Sequence, residues 1–265
     1  MILVVTGASG NLGGKLVAAL HEKHTLRCLD LRGSADVADL STYEDRWARQ
    51  FEGADTVLHF AGEPRPTASW AQVQRGNLAS TCNVLRAARN HGVQRVVFAS
   101  SNQVMAGYRF LNKPITTDIP PAPVNPYGLS KLFCEESGRA FSSETGISFI
   151  AFRIGYIQSG ENIPHAGMGL GLWGQQMWLS NRDFIDGVGA AIVVPEVSFA
   201  VLNLVSNNPG TPWDLTHTHK VLGFLPQDGF APDLSSEDRA EEEAARHARL
   251  VPGGWLDQRF RPMSG

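Results

Sequence analysis

Apolar positions along this 265-residue chain fall into two alternating patterns. Short runs rich in apolar residues cover 2–5, 26–30, 55–61, 96–100 and 148–154, and each predicts a strand. Between them apolar residues recur every three or four positions. Leu12, Leu16, Val17 and Leu20 mark one helix. Leu78, Cys82, Leu85 and Ala88 mark one face of a second, predicted over 70–91 and ended by Gly92. A third is predicted over 127–145, closed by Gly146. Strands alternating with helices predict an α/β fold, a doubly wound parallel sheet covered on both faces.

The pattern changes after Arg153-Ile154-Gly155. Residues 159–176 are glycine-rich and predict a long loop, of a length that is usually functional or mobile. Ser180-Asn-Arg-Asp183 has the form of a capping box, with aspartate in place of glutamate, opening a helix through Val188 and beyond. Another apolar run covers 197–205, and 222–226 is expected to close the ordered part. Residues 235–250 predict an acidic-basic helix with Glu242 and Arg246 paired at i,i+4. No internal repeat is present. We expect residues 1–155 to hold the cofactor and the reacting groups. Residues 156–265 are expected to form a small C-terminal substrate-binding lobe and tail, in one compact unit with the first part.

Composition removes several classes of function. Lys and Arg number 23 against 26 Asp and Glu, a net charge of −3, which gives no electrostatic case for nucleic acid or an anionic membrane. No apolar run approaches the ~18 residues of a membrane span. Met1 leads straight into a strand without a basic leader. Cys28, Cys82 and Cys134 are scattered, lack metal-ligand spacing and read as reduced thiols. A cytoplasmic protein without a bound metal is expected.

Gly7, Gly10 and Gly13 join the first strand to the first helix. Glycine there lets the backbone approach a pyrophosphate, whose charge the helix N-terminus stabilises. Ser9, Asn11 and Leu12 lie within the same turn. Asp30 ends the second strand, where a carboxylate accepts both ribose hydroxyls and repels a 2′-phosphate, favouring NAD. Arg32, two residues on, softens that preference and leaves NADP possible. Asp39 and Leu40 end a segment expected over the adenine.

Tyr127 and Lys131 are four residues apart, one helical turn, so they share a face. A free phenol titrates near pH ~10, and a neighbouring ammonium together with a positive nicotinamide favours its phenolate. Tyr127 is then able to take a proton from a substrate hydroxyl while hydride leaves the same carbon. Ser101, ending the 95–101 run, would hold that hydroxyl. Asn77 is read as support for a water relay near Lys131.

Gly7-x-x-Gly10-x-x-Gly13, Asp30, His59-Phe60-Ala61-Gly62, Asn77, Ser100-Ser101 and Tyr127-x-x-x-Lys131 together resemble the extended short-chain dehydrogenase/reductases, over essentially the whole chain. The resemblance implies a Rossmann-type domain with a small C-terminal lobe, and Ser101, Tyr127 and Lys131 as catalytic residues. It implies cofactor contacts from Phe60, Ala61, Gly62, Asn77, Ser100 and Ile154, and assembly into a dimer or tetramer through the 70–91 and 127–145 helices. Phe98-Ala-Ser-Ser-Asn-Gln103, Met177-Trp-Leu-Ser180 with Asp183-Phe184, and Leu222-Gly-Phe-Leu-Pro-Gln-Asp228 resemble the uronate dehydrogenases and the short-chain-type glucose-6-phosphate dehydrogenases. Ala61-Gly-Glu-Pro-Arg-Pro66 with Trp70 is closer to the second group. Both oxidise the anomeric hydroxyl of a hexose to a lactone, as sulfoquinovose dehydrogenase does. NAD-dependent oxidation at C1 of an aldohexose is therefore expected.

Three positions depart from the uronate pattern. Gln103 stands where those enzymes carry histidine, Trp173 at the spacing of their carboxylate-binding arginine, and Pro64 in place of a serine. They turn the expectation toward a 6-sulfo- or 6-phosphohexose over a plain hexuronate. Arg65 and Arg75 are the cations expected near C6, with Asn102, Gln103, His165, Gln175 and Gln176 as further donors. Trp173, Trp178 and Phe184 read as core or subunit contact rather than sugar-stacking rings. The alternative functions are a nucleotide-sugar epimerase or dehydratase, and a non-catalytic Rossmann cofactor sensor.

Overall fold

The six apolar runs become six of seven parallel strands in the computed structural model, which describes residues 1–33, 36–165 and 168–249. They are β1 Ile2–Thr6, β2 Thr25–Asp30, β3 Asp36–Val37, β4 Thr56–His59, β5 Arg95–Ser101, β6 Ser148–Ile154 and β7 Phe199–Leu204. Their order across the sheet is β3-β2-β1-β4-β5-β6-β7. The chain reverses its direction of travel at β1, and the crevice beside β1 and β4 is where such sheets bind ligands. β3 escapes sequence reading because it is two exposed residues with no apolar run.

The helices are α1 Asn11–Leu20, α2 Asp45–Ala48, α3 Trp70–Val73, α4 Ser80–Asn90, α5 Pro126–Thr145, α6 Gly171–Gln176, α7 Asn181–Val193, α8 Thr216–Leu222 and α9 Ser236–Ala248. On one sheet face Leu16 and Leu20 of α1 join Phe184, Val188 and Ile192 of α7 over Leu3, Val97 and Phe152. On the other, Trp47, Phe51, Val84 and Leu85 cover Val4, Phe98 and Phe149. Fully burying each such side chain contributes about 1.5–3 kcal/mol. β7 pairs with β6 from Phe149↔Phe199 to Ile154↔Leu204, so the sheet continues past residue 155. Residues 156–249 are thus shared between that sheet and the segments above it.

Three local differences from expectation have clear causes. The helix predicted over 70–91 is interrupted by a π segment, Gln74–Ala79. Its wider turn rotates α4 about the helix axis, so Cys82 is exposed and the buried face is Ser80, Thr81, Val84, Leu85, Ala87 and Ala88. The 159–176 loop contains the short helix α6. The capping box at Ser180 is half formed. Ser180 Oγ accepts from Asp183 N at 2.9 Å, but the Asp183 carboxylate is buried and accepts from Ser206 Oγ and from the amides of Gln227 and Asp228. Elsewhere Asn125 caps α5 by accepting from Gly128 N at 2.7 Å, and Gly146 ends it at φ +73°.

Ordered structure also continues beyond residue 226, through α9. Glu242 does not pair with Arg246; it pairs with Arg109 at 2.9 Å, because the nearly buried guanidinium needs an anion more than an exposed one does. Residues 250–265, including the expected helix end at Leu250, lie outside the described residues. No helix among the described residues is long and apolar enough to cross a membrane.

Candidate active site

The crevice at the C-terminal ends of β1, β2 and β4 is a cleft of about 940 Å³. Gly7, Ser9, Gly10, Asp30, Arg32, Asp39, Leu40, Phe60, Ala61 and Gly62 all line it. Gly7 has φ +72°, and a Cβ there would lie 2.6 Å from Ala61 N. A Cβ on Gly13 would lie 2.1 Å from Gly7 O, so this buried glycine seats α1 against the loop instead of facing the cleft. The side chains of Asn11 and Leu12 are engaged elsewhere, which leaves the cleft only the backbone at the start of α1. Asn11 donates to the carbonyls of Ile157 and Gln158, both at 3.3 Å, and Leu12 packs on the core.

The Asp30 carboxylate accepts from Ser9 N at 2.9 Å and from Arg32 N at 3.3 Å. It is fixed at the end of β2 with oxygens available at the cleft wall. A glycine cradle at a helix N-terminus, followed by a carboxylate at the next strand end, fits a dinucleotide. Asp39 accepts from Ser41 Oγ at 2.6 Å and Arg75 at 2.5 Å. The Ser41 hydroxyl first, and then Arg75, hold its carboxyl below the usual range. Arg75 is therefore not a free cation for a substrate C6 group; it belongs to the wall of this cleft.

Ser101, Tyr127 and Lys131 come together where β5 ends and α5 begins, each less than a tenth exposed. Lys131 Nζ donates to Ala99 O at 2.8 Å and lies 5.8 Å from the Tyr127 ring centroid. Burial pushes the Tyr127 phenol up, a hydrogen bond with Ser101 opposes this, and the Glu63 charge adds to the rise. Burial brings Lys131 down to about 8, with Cys134 and Glu135 opposing. The expected lowering of the phenol by Lys131 is not met in the chain alone. Desolvation dominates, and the ammonium is directed at a backbone carbonyl.

Asn77 and Ser100 have different partners from those expected. Asn77 Oδ1 accepts from Glu63 N at 2.8 Å, and its Nδ2 donates to Ser130 Oγ at 2.8 Å. It clamps the 62–63 loop to the residue beside Lys131. The π segment brings this amide inward. The Ser100 hydroxyl donates to the buried Glu135 at 2.5 Å, so its side chain is committed away from the cleft. Ile154 is buried in the core as the register partner of Ser101.

His59 is fully buried, with Nδ1 2.7 Å from Thr6 Oγ1 and Nε2 3.1 Å from Thr81 Oγ1. Burial first, and then the Lys131 charge, lower its pKa to about 3. An unfolded histidine takes a proton near pH ~6.5, so the folded state loses relative stability as pH falls from there toward 3. The loss by pH 5 is about 2 kcal/mol. Thermal midpoints should drop between pH 7 and 5, and His59→Asn should flatten that drop. Equal pH dependence in both proteins would remove His59 as the cause.

Residues 3–163 match the model of the NAD dependent epimerase/dehydratase family. The chain belongs to this family. It is 31% identical to an L-arabinose 1-dehydrogenase (NAD(P)(+)) of Haloferax volcanii, over 86% of this chain and 97% of that protein. It is 28% identical to an NAD-dependent glucose-6-phosphate dehydrogenase of the same organism, over 91% and 98%. The crystal structure of uronate dehydrogenase from Agrobacterium tumefaciens superposes with a TM-score of 0.75 at 27% identity, covering 95% of this chain and 90% of that one.

This member of the NAD dependent epimerase/dehydratase family keeps few free polar groups around its reacting cluster. Asn102 follows Ser101 and is 3% exposed, and neither polar atom of its amide has a protein partner. Gln103 is buried too, but its Oε1 accepts from Asn125 Nδ2 at 3.2 Å. Arg65 is exposed and held by Glu63 at 2.7 Å. His165 is exposed with Nε2 3.1 Å from Gln158 Oε1. Gln175 is not at the site: its amide donates to Asp233 O and accepts from Asp233 N, pinning the chain before α9. Gln176 likewise donates to Gly210 O. Trp173 packs on Trp213, as core.

Sequence reasoning passed over Glu63, Glu135 and Arg153. Arg153 is a charge inside an apolar strand, and Glu135 repeats the four-residue spacing of Tyr127 and Lys131. Both were signals in the sequence. Among the described residues no His, Cys, Asp or Glu group is placed to hold a metal ion.

Proposed function

We propose that this protein is a cytoplasmic NAD-dependent aldose 1-dehydrogenase that oxidises the anomeric hydroxyl of a pyranose to the lactone. The observation that carries the reading is the buried Ser101, Tyr127 and Lys131 cluster with the unpartnered Asn102 amide beside it. A buried amide without partners costs about 1–3 kcal/mol, which a hydroxylated ligand offsets by supplying them. The sugar 1-dehydrogenases among its relatives support the same chemistry.

Ser101 Oγ holds O1, and Tyr127 takes its proton as the C1–H bond breaks. NAD supplies the hydride acceptor and, through its positive ring, part of the field that the Tyr127 phenolate needs. Gly7 and Gly10 with the start of α1 hold the pyrophosphate, Asp30 the adenosine ribose, and Lys131 the nicotinamide ribose. Asn102 grips a sugar hydroxyl. An anionic C6 group, our reading of the substrate class, would draw Arg65 away from Glu63. Self-assembly is expected on the face of α5 that exposes Leu129 and Phe133, and light scattering would read it.

The test is NADH formation at 340 nm over arabinose, glucose, glucose 6-phosphate, glucuronate, galacturonate and sulfoquinovose, each with NAD and NADP. Turnover should be fastest with an acidic pyranose and NAD. Equal rates with neutral sugars would remove the C6 anion. Silence on every aldose would remove the reading itself.

A further inference from the structure

We propose that Glu135 is a positioning residue that fixes the Tyr127–Lys131 helix against the strand end carrying Ser101 and Asn102. This rests on the aldose dehydrogenase reading for what the positioned groups do. Three hydrogen bonds converge on the Glu135 carboxylate. Ser100 Oγ donates at 2.5 Å, Arg153 Nε at 3.1 Å and Arg153 Nη2 at 2.8 Å. The pair is sealed from solvent, with side-chain exposures of 3% for Arg153 and 1% for Glu135.

The network draws on four elements. Glu135 sits on α5 one turn beyond Lys131 and two beyond Tyr127. Ser100 is on β5 next to Ser101, and Arg153 is its register partner on β6. The remaining Arg153 nitrogen, Nη1, lies 3.2 Å from Met105 Sδ, in the 3₁₀ segment Asn102–Tyr108 that begins at Asn102. One carboxylate thus touches the neighbour of Ser101 directly and, through Arg153, the segment that carries Asn102. Together with the Lys131 bond to Ala99 O, it sets how far α5 can slide along β5.

Stability alone does not account for such a pair. Removing two charges from water costs several kcal/mol per ion, and apolar pairs of similar volume often replace buried ion pairs without loss. What apolar packing lacks is the fixed register that converging, directional bonds impose. A misplacement of about 1 Å at a reacting group is enough to cost about a hundredfold in rate. The carboxylate has a second effect, on charge. Lys131 is faced by Cys134 and Glu135 from α5 and by the neutral His59 from β4. Glu63, from the loop after β4, faces Tyr127, and Arg153, from β6, faces Glu135. Within this set Cys134 first, and then Glu135, favour the Lys131 ammonium against the effect of burial.

The test uses Glu135→Gln and the apolar triple variant Ser100→Ala, Glu135→Met, Arg153→Leu. The triple variant should melt near the parent protein yet lose at least about tenfold in kcat on the best aldose. In Glu135→Gln, which keeps Arg153, NADH affinity, read by nicotinamide fluorescence, should fall off at a lower pH than in the parent, since Lys131 loses its ammonium earlier. Parental kcat in a folded triple variant would overturn the proposal. If that variant does not fold, an unshifted pH limb and parental kcat in Glu135→Gln would do the same. A parent silent on every sugar would defeat the dehydrogenase reading only. The pH limb of NADH binding in Glu135→Gln needs no sugar and would still test the link from Glu135 to Lys131.

Discussion

Tyr127→Phe is expected to lower kcat for aldose oxidation about 10²–10⁴-fold, the range for loss of a positioned acid–base group. NADH binding and the thermal midpoint should change little, since the ring and its packing on Val73 and Ala68 remain. The pH profile gives a sharper check. Burial raises the phenol, so the fraction able to act as base grows as pH rises above neutrality. Lys131, near 8, loses its ammonium over the same region, so the parent profile should climb up to about pH 8 and level off above it. The phenylalanine variant should lose the rising limb. Full turnover in that variant, with the limb intact, would remove Tyr127 as the base.

Much of the fold was readable because its signals are local. Apolar runs named six of the seven strands, and Gly92 and Gly146 marked the ends of two helices. The π segment was not readable, since one extra residue in a turn leaves no compositional trace. Its consequence, the rotation that exposes Cys82, was therefore also missed. At the site, Tyr127, Lys131 and the glycine cradle were legible because each depends on spacing within one element. The partners of Arg75 and Gln175 were not. Each is set by which carboxylate or backbone group the fold brings near, and Arg75 meets Asp39 from 36 residues away. The long-range pair Glu135–Arg153 falls between these cases. Its members were visible as misplaced charges, but their union required the register of β5 and β6.

Two adjacent glycines in α1 should respond to alanine with opposite signs. At Gly13 the new Cβ would lie 2.1 Å from Gly7 O and 2.7 Å from Gly7 C. These are backbone atoms and cannot rotate away, so α1 must lift from the loop. Overpacking of this kind costs about 1–3 kcal/mol. The lifted helix also carries its N-terminal amides away from the pyrophosphate, so NAD affinity should fall by at least about tenfold, or about 1.4 kcal/mol. At Gly14 the nearest atom to a new Cβ is Ala8 O at 3.7 Å, an ordinary contact. Inside a helix, alanine there should add about 0.5–1 kcal/mol by restricting the unfolded chain, with NAD affinity kept. Denaturant melts and NADH titration of the two variants read both effects. Equal behaviour of the pair would mean that the tight seat of α1 on Gly7 does not build the cofactor cradle, because glycine content is the same in both variants and only the seat differs.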